Sequence, residues 1–181
     1  GDMKYKDWNG DGKIDPNDQV RNDFTQLPLF QGGFNIGATY KNFDLTILFQ
    51  GAAGAMQYIS AGEMGNIGNY LTDIYENRWT VENPSSVHPR IANRNDQYFS
   101  ANNTYWLRNS DYIRLKNFEI GYNIPETLLS KIGLKNCRVY TNGLNMFTWD
   151  KLKIFDPETV NSTGQYYPQS KIMNLGLTAT F

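Results

Sequence analysis

The residues with the clearest chemical meaning lie in one short acidic segment, Asp7 to Asp18, which reads Asp-Trp-Asn-Gly-Asp-Gly-Lys-Ile-Asp-Pro-Asn-Asp. If Asp7 is position 1 of a calcium-binding loop, side-chain oxygens fall at positions 1, 3, 5, 9 and 12, and a glycine occupies position 6, where such loops turn sharply. Several oxygen ligands at flexible distances are what Ca²⁺ prefers. We therefore predict a structural Ca²⁺ site whose ligands are Asp7, Asn9, Asp11, the backbone carbonyl of Lys13, Asp15 and Asp18.

Two features of this segment differ from a calcium-sensor loop. Asp18 stands where sensor loops have a bidentate glutamate, and Pro16 predicts that the exiting helix is short or absent. The alternative is a metal-free turn held by its own Asx and glycine residues.

Aromatic side chains form the second group of candidate functional residues. They lie in two long segments with little periodicity, about 51–110 and 149–169, and loops of this length are uncommon unless they are functional. Aromatic rings there can stack on sugars or contact a partner, although each ring can also simply pack its own loop. The predicted substrate or partner contacts are Trp79, Tyr98, Phe99, Tyr105, Trp106, Tyr166 and Tyr167.

The chain offers little material for catalysis. His88 is the only histidine and is read as a solvated loop residue, and Cys137 is the only cysteine. Because no serine lies in a strand-to-helix elbow, we predict that the protein is not an enzyme. The balance of 17 basic and 18 acidic residues also gives no electrostatic footprint for nucleic acid.

The elements that must position these residues are β-strands. Apolar and polar residues alternate with period two in the segments 34–40, 43–50, 112–123, 137–146 and 171–181. The dipeptide Lys41-Asn42 predicts a hairpin between the first two. Ile113 and Leu115 break the alternation, which indicates either a bulge near Lys116 or packing of that end against loops. The predicted fold is all-β, and no apolar run is long enough for a membrane-spanning helix.

The connections between these strands alternate between short and long, as in outer-membrane barrels, whose short turns are periplasmic and whose long loops are extracellular. With Phe181 in the periplasm, the segments are an extracellular loop with the calcium site (1–33), a barrel hairpin (34–51), a long extracellular loop (52–110), two barrel strands with a short periplasmic turn (111–148), an extracellular loop (149–169) and a C-terminal closing strand (170–181). Five strands cannot close a barrel, since even small barrels need about eight. Other strands, most simply from upstream in the same polypeptide, must complete it.

Several separate motifs resemble one known family. They are Gly1-Asp2-Met3-Lys4-Tyr5-Lys6-Asp7 followed by Asn9 to Asp15, Tyr40 to Leu45 with Phe49-Gln50-Gly51, Tyr112 to Asn117 with Gly121-Tyr122, and Arg138-Val139-Tyr140 with Asn145 and Trp149. In this order and spacing they resemble the C-terminal part of SusC/RagA-type TonB-linked outer-membrane transporters. Only Asn109-Ser110-Asp111 departs from the usual pattern. The resemblance implies the last five strands of a plugged barrel of about 22 strands, energy from TonB through the upstream part, and a SusD-like surface lipoprotein as a lid.

The predicted function is nutrient import across the outer membrane of a Gram-negative bacterium, for oligosaccharides, although related transporters take peptides. On the barrel interpretation, membrane lipid contacts the apolar faces. Glu119, Arg138, Tyr140 and Asn142 face the lumen, where they either pair with neighbouring strands or the plug, or contact substrate. The alternative is a secreted, calcium-stabilised β-sandwich that acts as a carbohydrate-binding or adhesion module.

Overall fold

The computed structural model describes residues 1–59, 72–91, 102–160 and 166–181. Its strands are β1 (Phe30–Tyr40), β2 (Phe43–Ala53), β3 (Met56–Tyr58), β4 (Leu107–Asn109), β5 (Tyr112–Asn123), β6 (Asn136–Asp150) and β7 (Ile172–Thr180). Two short helices, α1 (Thr72–Asn77) and α2 (Glu126–Leu129), and three 3-10 turns, Pro16–Asp18, Thr104–Trp106 and Ser130–Ile132, complete these elements. Among the described residues, no helix is long and apolar enough to cross a lipid bilayer.

The main sheet has five strands in the order β1-β2-β5-β6-β7, and each strand is antiparallel to its neighbours. These segments form strands because their apolar residues recur at every second position, so in a pleated sheet they all lie on one face. The Lys41-Asn42 turn joins β1 to β2, and Lys41 adopts the positive φ (52°) that two-residue hairpin turns use. The predicted all-β fold is confirmed.

A bulge at Lys116 resets the alternation in β5. On the β2 side, Leu48 pairs with Asn117 and Phe49 with Leu115, so Lys116 is skipped. The pairing with β6 shifts at the same place. Because of this extra residue, Leu115 returns to the apolar face of the sheet, which confirms the bulge interpretation.

Some strands extend beyond the predicted segments. β1 begins at Phe30 because Gly32 and Gly33, which resemble loop residues, pair with Gly51 and Gln50 of β2. β6 continues to Asp150 and pairs there with Tyr112. Within the segment expected to be irregular, β3 and β4 pair with each other. Three-residue strands carry too little periodicity to be seen in the sequence.

The described residues fall into two compact units. The acidic-loop unit contains Gly1–Phe24 and the described residues from Tyr58 to Leu107. The sheet unit contains Thr25–Gln57 and the described residues from Arg108 to Phe181. Ile59 and Ile74 are buried in the first unit, while Leu129 and Leu152 are buried in the second.

Candidate functional site

The acidic loop, Asp7–Asp18, folds around the carboxylate of its first residue. Asp7 Oδ1 accepts a hydrogen bond from the Gly10 N–H at 2.6 Å, and Oδ2 accepts one from the Gly12 N–H at 2.8 Å. Gly10 and Gly12 have φ values of 76° and 80°, in the left-handed region that favours glycine. The glycine predicted at the sharp turn therefore occupies a position that requires it.

Asp18 closes the other end of the acidic loop. Its Oδ2 accepts from the Asp15 N–H at 3.0 Å, and its Oδ1 accepts from the Trp8 N–H at 2.8 Å. The pKa of Asp18 is lowered, chiefly by the hydrogen bond from the Asp15 N–H. Desolvation acts in the opposite direction but is outweighed, because the Trp8 N–H and the Asp7 side chain also lower the pKa. The first and last predicted ligands thus approach each other. The loop ends in a single 3-10 turn, Pro16–Asp18, in agreement with the expected short exit.

The remaining predicted ligands bond within the same loop. Asn9 Oδ1 accepts from the Asp11 N–H at 2.9 Å, Asp11 Oδ1 accepts from the Lys13 N–H at 2.8 Å, and Asp15 Oδ1 accepts from the Asn17 N–H at 2.8 Å. The hard oxygen donors fit Ca²⁺ by their chemistry. Across residues 1–59, 72–91, 102–160 and 166–181, however, no three His, Cys, Asp or Glu side chains are gathered closely enough to hold a metal ion. Bound Ca²⁺ would draw the carboxylates closer together than they lie here.

A pocket of about 480 Å³ lies beside the acidic loop; we refer to it as the acidic-loop pocket. Its wall combines the rings of Tyr5, Trp8 and Tyr58 with the side chains of Asn22, Asn102 and Asn103. Asn103 Nδ2 donates to the Tyr5 hydroxyl at 3.3 Å. Burial raises the pKa of the Tyr58 hydroxyl, so Tyr58 is neutral at physiological pH. Of these three rings, Tyr58 belongs to the long segment whose aromatic side chains the sequence offers as sugar or partner contacts, whereas Tyr5 and Trp8 lie outside it.

A second pocket, of about 430 Å³, lies in the same unit. Trp79, His88 and Tyr105 all line it. His88 Nδ1 lies 2.8 Å from the Tyr105 hydroxyl, so His88 is a half-buried structural partner and the expectation of a solvated loop residue is corrected. The sequence gives no sign of this contact, because 17 positions separate His88 from Tyr105 and no periodic pattern links them.

The predicted aromatic contacts are only partly gathered. Trp79 and Tyr105 share the second pocket, and Trp106 packs edge-on against Tyr105 with ring centroids 4.7 Å apart. Tyr166 and Tyr167 are exposed and belong to the sheet unit. Tyr98 and Phe99 lie outside the described residues.

The polar face of the sheet carries a cluster centred on Arg138, which we name the strand cluster. Arg138 on β6 bonds Asp44 of β2, through Nε at 3.1 Å and also through Nη2, and its Nη2 donates to Glu119 of β5 at 2.7 Å. Asn142 Nδ2 donates to Glu119 at 3.3 Å. The absence of a side chain at Gly121 leaves the room that the guanidinium occupies. Three of the four predicted lumen-facing residues, Glu119, Arg138 and Asn142, thus pair with neighbouring strands.

The fourth residue of that set, Tyr140, lies on the same polar face of β6. Its ring packs over Gly176 of β7, where a side chain would collide with it. The Arg138 guanidinium lies 5.0 Å from the centroid of the Tyr140 ring. Tyr140 therefore also contacts its own sheet.

A second cluster, the loop-anchoring cluster, ties the segment after β6 to the sheet. Arg114 donates from Nη2 to Asp156 at 2.8 Å and from Nη1 to Glu158 at 2.7 Å. Lys116 Nζ and the Tyr112 hydroxyl donate to the same Glu158 carboxylate, at 2.9 and 3.0 Å. Arg114 is almost completely buried. This cluster joins residues more than 40 positions apart, and sequence reasoning missed it.

The opposite face of the sheet is apolar and largely exposed. Phe34, Phe43, Met173 and Leu175 are exposed, and 82% of Leu175 is accessible. Among the described residues, the only other sheet is the two-stranded β3–β4 pair. A sheet with one polar face and one apolar, exposed face is typical of the wall of a transmembrane β-barrel, in which the apolar face is toward lipid.

Comparison with known proteins supports this class. The chain is 32% identical to TonB-dependent receptor P26 of Formosa agariphila over 202 aligned residues, which cover the whole chain and 20% of that receptor. It is 34% identical to TonB-dependent receptor P3 of the same organism, over 85% of the chain and 15% of the receptor. The structure of the RagAB peptide transporter superposes on 93% of the chain with a TM-score of 0.74 and 27% sequence identity. The superposed region is 19% of the matched RagAB chain. No family model matches the chain.

The chain is therefore similar, over its whole length, to part of the outer-membrane TonB-dependent receptors, and its fold is similar to part of the RagAB peptide importer. It spans about one fifth of the length of the curated relatives it matches. These relatives are receptors and transporters and not enzymes, in agreement with the prediction of no catalytic function. The alternative of a secreted β-sandwich is wrong, because the whole chain aligns with barrel proteins.

Proposed function

We propose that this chain forms the C-terminal wall of a TonB-dependent outer-membrane importer of oligosaccharides that works with a SusD-like surface lipoprotein. The observation that carries the proposal is the five-stranded sheet, whose apolar face is exposed and whose polar face is cross-linked by charged side chains. The similarity to RagAB supports a lipoprotein partner. TonB would act through the upstream part of the receptor.

The orientation of the wall is part of this proposal. The β1–β2 turn and the α2-containing β5–β6 connection are short, and both lie at the end of the sheet where β7 also ends. Short turns of outer-membrane barrels face the periplasm. Phe181 would then be periplasmic, and the acidic loop would be extracellular, where calcium is abundant.

The substrate class rests on the two pockets of the acidic-loop unit. Aromatic rings and neutral amides line the acidic-loop pocket, and Trp79 and Tyr105 line the second. This combination suits the apolar faces and hydroxyl groups of sugars. A peptide is the second candidate, because the similar solved structures are those of a peptide importer.

Uptake by the full-length receptor tests this function. Cells expressing it with its lipoprotein partner should accumulate fluorescent oligosaccharides, and a protonophore that removes the energy for TonB should abolish the uptake. Fluorescent peptides of matched size serve as the comparison. Uptake of peptides alone would show that the substrates are peptides and not oligosaccharides. Uptake that is insensitive to the protonophore would contradict the transport mechanism.

We also propose that the acidic loop binds Ca²⁺ as a structural ion. Asp7 and Asp18 would supply the first and last ligands, and the two positive charges of the ion would offset the carboxylates that the loop collects. Hydrogen exchange of residues 7–18 should slow when Ca²⁺ is added to the receptor. The Asp11→Asn variant should need more Ca²⁺ for the same protection, because it loses one ligand charge. Equal protection in Ca²⁺ and in chelator would contradict the site.

A further inference from the structure

We propose that the acidic-loop pocket is a binding subsite for an uncharged, hydroxyl-rich ligand, namely one or two units of a neutral oligosaccharide. This inference rests on the proposed function and narrows it to a location and a class of sugar. The pocket volume of about 480 Å³ is large enough for such a ligand, since small-molecule pockets range from about 300 to 1,000 Å³.

The charges around the pocket select against acidic ligands. Asp15 and Asp18 line it, and none of the described lining residues is Lys, Arg or His. A sulfated or uronic-acid sugar would meet like charges, because the four aspartates of the acidic loop outnumber the two charges of a bound Ca²⁺ together with the single charge of Lys13. The pocket therefore favours neutral sugars over acidic ones.

Trp8 provides an aromatic surface for a sugar ring. The residue is 54% exposed, and Lys6 Nζ lies 3.6 Å from the centroid of its ring. Trp8 lines the pocket and Lys6 does not. The axial C–H groups of a sugar can pack on such a surface.

Neutral amides supply the polar part of the pocket wall. Gln19, Asn22 and Asn102 line it together with Asn103. An amide group contains both donors and acceptors, as a hydroxyl group does, so side chains such as Gln19 and Asn102 are suited to bond sugar hydroxyl groups in either role. Asn103 is held in place because it bonds the Tyr5 hydroxyl and accepts from the Tyr105 N–H at 3.1 Å. The polar side of the subsite is therefore partly preorganised.

The acidic loop itself builds one wall of the subsite. Its contribution consists of Trp8, Ile14, Asp15, Pro16 and Asp18. These residues are fixed relative to one another by the hydrogen bonds from the loop backbone to Asp18. The shape of the subsite thus depends on the folded loop.

Binding to the detergent-purified full-length receptor, in Ca²⁺-containing buffer, tests the inference. The probes are an array of short neutral glucan, mannan and galactan oligosaccharides, their uronic-acid and sulfated counterparts, and peptides of matched size. Trp8→Ala removes the stacking surface, and Val20→Trp fills the pocket from its apolar side, where Val20 lines it. Tyr75→Ala is the matched control, because Tyr75 is 55% exposed, carries Arg78 at 4.2 Å from its ring centroid and lines neither described pocket.

The inference expects the wild-type receptor to bind at least one neutral oligosaccharide more tightly than its acidic counterpart. Trp8→Ala should weaken that binding about tenfold, the loss expected for one aromatic contact of about 1.4 kcal/mol. Val20→Trp should weaken it at least as much, and Tyr75→Ala should leave it unchanged. Absence of neutral-sugar binding, tighter binding of the acidic sugars, or equal binding by all variants would overturn the inference.

The uptake assay separates this result from the proposed function. If neutral oligosaccharides are imported but Trp8→Ala and Val20→Trp do not change their binding, the proposed subsite is wrong while the importer proposal stands. If the receptor imports only peptides, the oligosaccharide proposal itself fails.

Discussion

Arg114 and Arg138 lie on the same polar face of the sheet and each meets two carboxylates, but the two clusters differ in burial and in what they join. In the loop-anchoring cluster, the side chains of Arg114, Asp156 and Glu158 are 3%, 7% and 11% exposed. In the strand cluster, those of Arg138, Asp44 and Glu119 are 25%, 29% and 33% exposed. The first joins a loop to a strand, whereas the second joins strands that the ladder already holds.

The difference shows that similar groups have different structural roles. A buried ion pair that loses one partner leaves an uncompensated charge, which is costly, whereas exposed pairs are screened by solvent. The described residues of the loop after β6 form no strand ladder, so side-chain bonds such as those of Arg114 hold them to the sheet. The strands β2, β5 and β6 do not depend on Arg138 in the same way.

The largest expected effect is that of Arg114→Ala. Removing the guanidinium leaves Asp156 and Glu158 buried, so the free energy of unfolding of the receptor should fall by about 3–5 kcal/mol. Urea titration of the full-length receptor in detergent measures this, and hydrogen exchange should show faster exchange at residues 151–160. Arg114→Lys is the control and should lose less, because it keeps the charge. A loss below about 1 kcal/mol would mean that the cluster is not a buried ion network.

Glu158→Gln should have the next largest effect. Its carboxylate accepts from Arg114, Lys116 and the Tyr112 hydroxyl, and charged hydrogen bonds contribute about 1.5–3 kcal/mol each before compensation. The matched Asp156→Asn variant should lose less, because its remaining side-chain oxygen can still accept from the Glu158 N–H and from Arg114, and only the bond from the Gln169 N–H to the other oxygen is lost. The same urea titration compares them, and a larger loss for Asp156→Asn would reverse the assigned roles.

Arg138→Ala should have a small effect, about 1 kcal/mol or less, because its pairs are between a quarter and a third exposed. Exchange in residues 151–160 should not change. If the loss matches that of Arg114→Ala in the full receptor, the strand cluster is covered there by another part of the protein, and the contrast between the two clusters would disappear.

The smallest expected effect is a pH dependence of the anchored loop. Burial acts to raise the pKa of Asp156, but hydrogen bonds from Arg114 and from the N–H groups of Glu158 and Gln169 outweigh it, so the pKa is lowered. A lowered pKa stabilises the folded loop above the unfolded value of about 3.9, and this stabilisation is lost as the pH falls through the folded value. Proteolysis of residues 151–160 by an acid-active protease should therefore increase below about pH 4. Asp156→Asn should reduce that increase. If the pH profile of proteolysis does not change in this variant, another titratable group causes the increase.

Much of the fold could be predicted because its signal is local. The period-two alternation identified the five strands of the main sheet, and the broken parity at Ile113 and Leu115 indicated the bulge at Lys116. The Lys41-Asn42 turn followed from its position between two alternating segments. Each of these features depends on neighbours within a few residues, which a single sequence displays directly.

The contacts that define the clusters could not be predicted in this way. Arg114 meets Asp156 and Glu158 across 42 and 44 positions, and Arg138 meets Asp44 across 94. Their pairing depends on strand order and loop path, which alternation alone does not specify. The acidic loop was recognised from its spacing, but its shared wall with Tyr58 and Asn102 depends on tertiary folding.

The central claim is that one face of the sheet contacts lipid while the other does not, and spin labelling of β7 tests it most directly. In a Cys137→Ala background, nitroxides are placed at Met173, Leu175 and Leu177 on the apolar face and at Asn174 and Thr178 on the polar face of the full-length receptor in lipid vesicles. The first three should be relaxed mainly by oxygen, which concentrates in lipid, and the other two should show low oxygen accessibility, so that accessibility alternates with period two. Preferential relaxation of all five positions by a water-soluble nickel complex would contradict the account.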